Sequence, residues 1–132
     1  MLDPLISQQQ ASDPNESVWV MASAGSGKTK VLTDRILRLL LNGVEPQQIL
    51  CLTYTKVASV EMQKRLYHEL QKWVACDENE LQKIITNLTG KTPHKSILML
   101  ARGLLAQILD SQFKIKIQTI HSFCMGILQS FP

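Results

Sequence analysis

The sequence predicts an α/β fold in which a parallel sheet is flanked by helices. An apolar β-type run at residues 18–21 leads through a Gly-rich turn into Lys28-Thr29 and an amphipathic segment. A second continuous apolar run, residues 49–53, follows that segment as a buried parallel strand would. A β-α-β order of this kind makes a right-handed crossover, the seed of a doubly wound sheet.

Each element has its own signal. Residues 7–11 read as a short polar helix, and Asp13-Pro14-Asn15 as a turn before the first strand. The helix after the Gly-rich turn is expected over residues 29–41, with Leu32, Ile36, Leu39 and Leu40 on one face. Asn42-Gly43 closes it, and Pro46 follows. Residues 58–73 carry a helical pattern that turns Met62, Leu66, Leu70 and Trp73 inward. Asp77 and Glu80 frame a capping box for a helix through Leu88, and residues 89–93 break it. Another helix spans residues 95–109, with Ile97, Leu98, Leu104, Leu105 and Ile108 as its apolar positions. A short strand at 114–118 precedes a last helix through Leu128, giving three expected parallel strands in all. Left without neighbours, those strands would present an apolar sheet edge.

Length and composition narrow the classes. At 132 residues the chain holds one domain at most, enough for a core and small for a complete motor enzyme. A net charge of +3 permits a polyanion partner without arguing for one. The start, Met1-Leu2-Asp3-Pro4-Leu5, lacks the basic and apolar regions of a secretory signal. Arg38 interrupts the most apolar helix, so no membrane span is expected. Cys51, Cys76 and Cys124 are scattered with no C-x-x-C pair, which suits a reducing cytoplasm and no zinc site.

The Gly-rich turn carries the sharpest chemistry. Residues 22–29 read Ala-Ser-Ala-Gly-Ser-Gly-Lys-Thr between a strand and a helix, the context of a phosphate-binding loop. Gly25 and Gly27 let the backbone approach a polyphosphate and aim N–H groups at it, and the helix N-terminus adds positive partial charge. Lys28 would reach the β- and γ-phosphates and the Thr29 hydroxyl would hold Mg²⁺. Ala22 stands where the general pattern has its first Gly. An ordinary Gly-rich core turn would explain the glycines but not the Lys-Thr helix start.

Two further clusters sit at strand-to-helix junctions. Tyr54, Thr55 and Lys56 place an aromatic face and two phosphate-contacting groups after a strand, which suits a single nucleic-acid strand. Taken alone, they fit an ordinary solvated helix start as well. Thr119 is a good N-cap and His121 lies in the first turn after it, where a histidine is more often structural than functional. Lys114 and Lys116 alternate on one strand face, as on a solvated edge.

Together with Gln8 upstream, these clusters resemble superfamily 1 helicases of the UvrD/Rep group, in which Ala is the usual residue at position 22. Within that group the likeness is to AddA-type helicase–nuclease subunits of double-strand-break repair, in their alphaproteobacterial form. It rests on residues 11–14, 49–53, 72–73, 101–102 and 116–124, and covers nearly the whole chain. The resemblance implies a partial RecA-like P-loop NTPase domain that uses ATP and Mg²⁺. Gln8 would read adenine, and Ala24, Gly25, Ser26, Gly27, Lys28 and Thr29 would hold the triphosphate and metal. Lys30 stands where many relatives carry an Arg that packs on the base, and its stem can cover the ring without planar stacking. Tyr54, Thr55, Lys56, Thr119 and His121 would line a DNA track. Residues 1–72 would belong to the ATP-binding domain, 73–113 to a helical insertion, and 114–132 to the returning domain. The implied partners are single-stranded or duplex DNA and an AddB-like subunit, with no membrane.

The family's further needs are a Walker B Asp-Glu pair and arginines from a second motor domain. Asp77-Glu78 mimics the former, but it ends an amphipathic helix and reads as a cap. Loss of arginine-finger chemistry alone lowers related phosphoryl-transfer rates by about 10³ to 10⁵. The chain therefore reads as the N-terminal piece of a helicase subunit, incomplete as a catalyst. The competing readings are a catalytically inactive remnant or split-gene fragment that at most binds nucleotide or docks on a partner fragment, and an unrelated P-loop kinase or transferase. The last explains neither Gln8 nor residues 119–123.

Overall fold

The computed structural model describes residues 3–21, 27–110, 112 and 114–132. Helix α1 runs Pro4–Ala11, begun by the Asp3 side chain, which accepts from the Leu5 backbone N–H, with proline in the first turn. It starts earlier than expected because Asp3-Pro4 is itself a start signal. Helix α2 is Lys28–Leu41, and a single 3₁₀ turn at Pro46–Gln48 leads into β1, Leu50–Thr53. The long helix α3, Lys56–Ala75, is followed by α4, Glu78–Thr89, and α5, Lys95–Leu109. Strand β2, Lys116–Thr119, passes directly into α6, Ile120–Gln129.

β1 and β2 form a parallel pair in which Leu50 faces Lys116 and Thr53 faces Thr119. The expected strand at residues 18–21 is not formed: this segment is unpaired among the described residues, and its side chains are exposed, Trp19 at 88%. A parallel strand exists by hydrogen bonding to a neighbour, and neither β1 nor β2 pairs with this run. The apolar sequence therefore remains without a strand's hydrogen bonds.

The core is helical. Met62, Leu66, Leu70 and Trp73 are all buried, as their spacing predicts, with Trp73 and Leu70 fully so. They pack in one cluster with Ile36, Leu37 and Leu40 of α2, Leu81 and Ile85 of α4, and Leu98, Leu104 and Ile108 of α5. On α2 the inward face differs from expectation. Ile36 and Leu40 are buried as expected, but Leu32 is exposed while Val31, Leu37 and Leu41 are buried, because α2 meets α3 and α5 on a slightly rotated face. Arg102 of α5 donates to the Trp73 and Val74 carbonyls at 2.9 and 2.8 Å, closing the C-terminal turn of α3. Asp77 is the cap the sequence suggested: its carboxylate accepts from the Glu80 N–H at 2.8 Å, and Gly90 ends α4 at φ 76°.

Candidate nucleotide and nucleic-acid sites

Of the phosphate loop, Ala24, Gly25 and Ser26 lie outside the described residues. Its exit is described. Gly27 adopts φ 85°, a left-handed conformation that strains any residue with a Cβ. It is the N-cap of α2 and contributes no side-chain cap, so the first turn, with Lys28 and Thr29, presents backbone N–H groups and the positive end of the helix dipole. The Thr33 hydroxyl donates back to the Thr29 carbonyl at 2.9 Å. Lys30 is ion-paired with Asp34 one turn on, at 2.6 Å.

Gln8 lies against this helix start. A Cβ built on Gly27 would sit 3.4 Å from the Gln8 side-chain nitrogen, so the amide of α1 and the end of the phosphate loop are in close approach. Gln8 and Lys30 also line a cleft of about 680 Å³ between α1, α2, α3 and α4, along with Asp34, Arg65 and His68. Trp73 lines it too, and its indole nitrogen has no acceptor among the described residues.

The parallel register brings the other two clusters together. Thr53 and Thr119 are partners at the C-terminal ends of adjacent strands, so Tyr54–Lys56 and Thr119–His121 leave the sheet side by side. Both junctions use one device. Thr55 caps α3 by accepting from the Ala58 N–H, and Thr119 caps α6 by accepting from the Ser122 N–H, each at 3.1 Å. Tyr54 is 81% exposed, and Lys56 and His121 are also exposed. Gln63 of α3 donates to the Ile117 carbonyl at 3.1 Å and fixes α3 on β2. Beside Lys56, the side chains of Val57, Val60 and Lys64 line a shallow groove.

Sequence reasoning missed Arg35 and Arg38. Arg35 donates to the carbonyls of Ala11, Asp13 and Glu16, and Arg38 to the Gln9 carbonyl and the Ser12 hydroxyl. Their spacing on α2 was visible, but their acceptors are mostly backbone atoms far along the chain. The Asn15 backbone N–H holds the Asp13 carboxyl below its ordinary value, with Arg38 and Arg35 adding to the effect. Cys51 touches Met62 sulfur to sulfur at 3.1 Å, and burial raises its thiol pKa. No cluster of metal-binding type occurs among the described residues, and no helix among them is long and apolar enough to cross a membrane.

A parallel crossover pair packed by helices defines the class as mixed α/β. The chain belongs to the UvrD/REP helicase N-terminal domain family, whose description matches residues 5–132. It is 31% identical over 125 residues to the ATP-dependent helicase/nuclease AddA of Ligilactobacillus salivarius, covering 94% of this chain and 8% of that protein. The proteins of the same name from Lactobacillus johnsonii and Pediococcus pentosaceus are 32% and 29% identical, over 93% and 96% of this chain and 8% and 9% of theirs. The chain thus spans less than a tenth of the length of these relatives.

Proposed function

We propose that the chain is the N-terminal ATP-binding part of an ATP-dependent DNA helicase/nuclease that serves double-strand-break repair in the cytoplasm. The observation that carries this reading is the register of the parallel pair. It sets Tyr54–Lys56 beside Thr119–His121 in a member of a helicase family. Two exposed junctions with an aromatic, a lysine and a histidine make a surface on which a base can stack while a phosphate meets helix N–H groups.

In this reading Lys28 neutralises the β- and γ-phosphates, Thr29 ligates Mg²⁺, and residues 24–27 wrap the triphosphate with backbone N–H groups. The described part of the cradle fits that role. Gly27 is left-handed and places no side chain over the helix start, and Thr29 lies in the first turn. Mg²⁺ supplies charge neutralisation when bound. Gln8 reads the base, and Lys30 covers it with its stem. Residues 1–72 and 114–132 form the ATP-binding domain and 73–113 an inserted helical piece whose α5 shares the core with α2 and α3. The narrower alphaproteobacterial likeness rests on the sequence pieces alone. An AddB-like protein is the partner that goes with it.

Titration of the chain with Mg·ATP, beside Lys28→Ala, tests the proposal. Wild type binds, and the variant loses about 10- to 100-fold, as loss of a charged hydrogen-bonding partner predicts. A fluorescent single-stranded oligonucleotide binds wild type and is weakened by the double change Tyr54→Ala, His121→Ala. Equal nucleotide binding by wild type and Lys28→Ala contradicts the reading.

A further inference from the structure

Helix α1 carries Gln8, yet it buries no residue of its own. Apolar packing therefore does not fix where it sits. Its attachment is polar. Arg38, whose side chain is only 12% exposed, donates to the Gln9 carbonyl at 2.7 Å and to the Ser12 hydroxyl at 3.0 Å, and its guanidinium faces the Asp13 carboxylate at 4.0 Å. Arg35, one turn earlier on α2, donates to the Asp13 carbonyl at 2.7 Å and also reaches the Ala11 and Glu16 carbonyls. On its other side, the Gln9 amide of α1 donates to the Asn87 carbonyl of α4 at 3.0 Å.

The chemistry of this attachment is directional. The acceptors lie in the last turn of α1 and in the segment after it, where carbonyls lack intrahelical partners and carry the negative end of the helix dipole. Guanidinium groups are suited to such carbonyls because they are planar, permanently charged and present several donors in a fixed fork. Both arginines are on α2, the helix whose first turn carries Lys28 and Thr29. One rigid element therefore bears the phosphate-contacting groups at one end and clamps the helix of Gln8 farther along.

We infer that Arg35 and Arg38 are positioning residues for base recognition, setting Gln8 at a fixed distance from the triphosphate site by clamping α1 onto α2. The inference rests on the proposal that Gln8 reads the base. It separates two binding components: the phosphates are held by α2 itself, and the base is held through the clamp. Loss of the clamp weakens base recognition and spares phosphate binding.

The test compares Mg·ATP, Mg·GTP and magnesium tripolyphosphate, which has no base, on wild type, Gln8→Ala, Arg35→Ala, Arg38→Ala and Arg38→Lys, with circular dichroism to confirm helix content. Wild type prefers ATP to GTP, and Gln8→Ala abolishes the preference while keeping tripolyphosphate affinity. Arg35→Ala and Arg38→Ala do the same, each weakening ATP about tenfold. Arg38→Lys restores part of the preference, since the charge remains but the fork is lost. The inference is overturned if the arginine variants keep the ATP preference that Gln8→Ala loses. It is equally overturned if they lose tripolyphosphate as strongly as ATP, the mark of a merely structural role. A wild type that does not discriminate ATP from GTP removes the base-reading role of Gln8, and this inference with it.

Discussion

The helical side of the molecule and its sheet side are built to different standards of closure. Around α3, the residues Leu70, Trp73, Leu81 and Ala101 are fully buried and drawn from three helices. On the sheet side, β1 leaves its side chains exposed or, as at Cys51 and Thr53, only half-buried, β2 fully buries only Ile117, and α6 fully buries nothing although much of it is apolar. Leu50 and Leu52 of β1 and Ile127 and Leu128 of α6 are exposed, as is the run at 18–21. Every candidate DNA-contacting residue lies on this second side. The helical side supplies the hydrophobic free energy, and the sheet side leaves its junctions and much of its apolar surface exposed.

The contrast can be broken most forcefully at its closed end. Trp73→Ala removes a fully buried indole and should cost about 3–5 kcal/mol in urea unfolding. Leu52→Ala and Leu128→Ala, on the open side, should stay within about 0.5 kcal/mol of wild type. Comparable losses at Trp73 and Leu52 would erase the distinction. Next in size are the caps. Asp77→Ala, Thr55→Ala and Thr119→Ala each remove a side-chain acceptor from a helix start and should cost about 1 kcal/mol in the same assay. For Thr55 and Thr119, oligonucleotide affinity should fall as well, whereas Asp77→Ala leaves it unchanged.

Smaller still is the effect of pH at Cys51. Burial raises its thiol pKa above the ordinary 9.0, so the folded state holds its proton where the unfolded chain has released it. With more protons bound folded than unfolded, stability falls as pH rises beyond the unfolded value. Cys51→Ser, which does not titrate in this range, should flatten that alkaline decline in thermal unfolding scans. At neutral pH a thiol reagent should modify exposed Cys124 before Cys51.

What could be read from the sequence follows the same division. The helices of the closed side were legible because their apolar residues recur at three and four. Met62, Leu66, Leu70 and Trp73 needed no partner information to be assigned inward. Caps were legible at Asp77 and Thr119 because a cap is local chemistry. The rotated face of α2 was not, since Leu32 and Leu37 are equally apolar and only the position of α3 and α5 selects between them. Residues 18–21 read as a strand because their side chains suit one, but pairing depends on a neighbour that no local pattern reports. Of the candidate sites, the two junctions were legible as motifs, and their adjacency emerged only from the register of Thr53 with Thr119. Arg35 and Arg38 were hidden because backbone carbonyls leave no trace in residue type.

Amide hydrogen exchange on the chain, alone and with Mg·ATP and single-stranded DNA, tests the account most directly. In the unliganded chain the amides of α3 and α5 should exchange only through global unfolding, and those of β2 and α6 through smaller local openings. Ligands should then add protection at the start of α2 and at the β1–α3 and β2–α6 junctions. Uniform protection without ligands, or ligand-induced protection confined to α4 and α5, would contradict a closed helical side that carries an open working one.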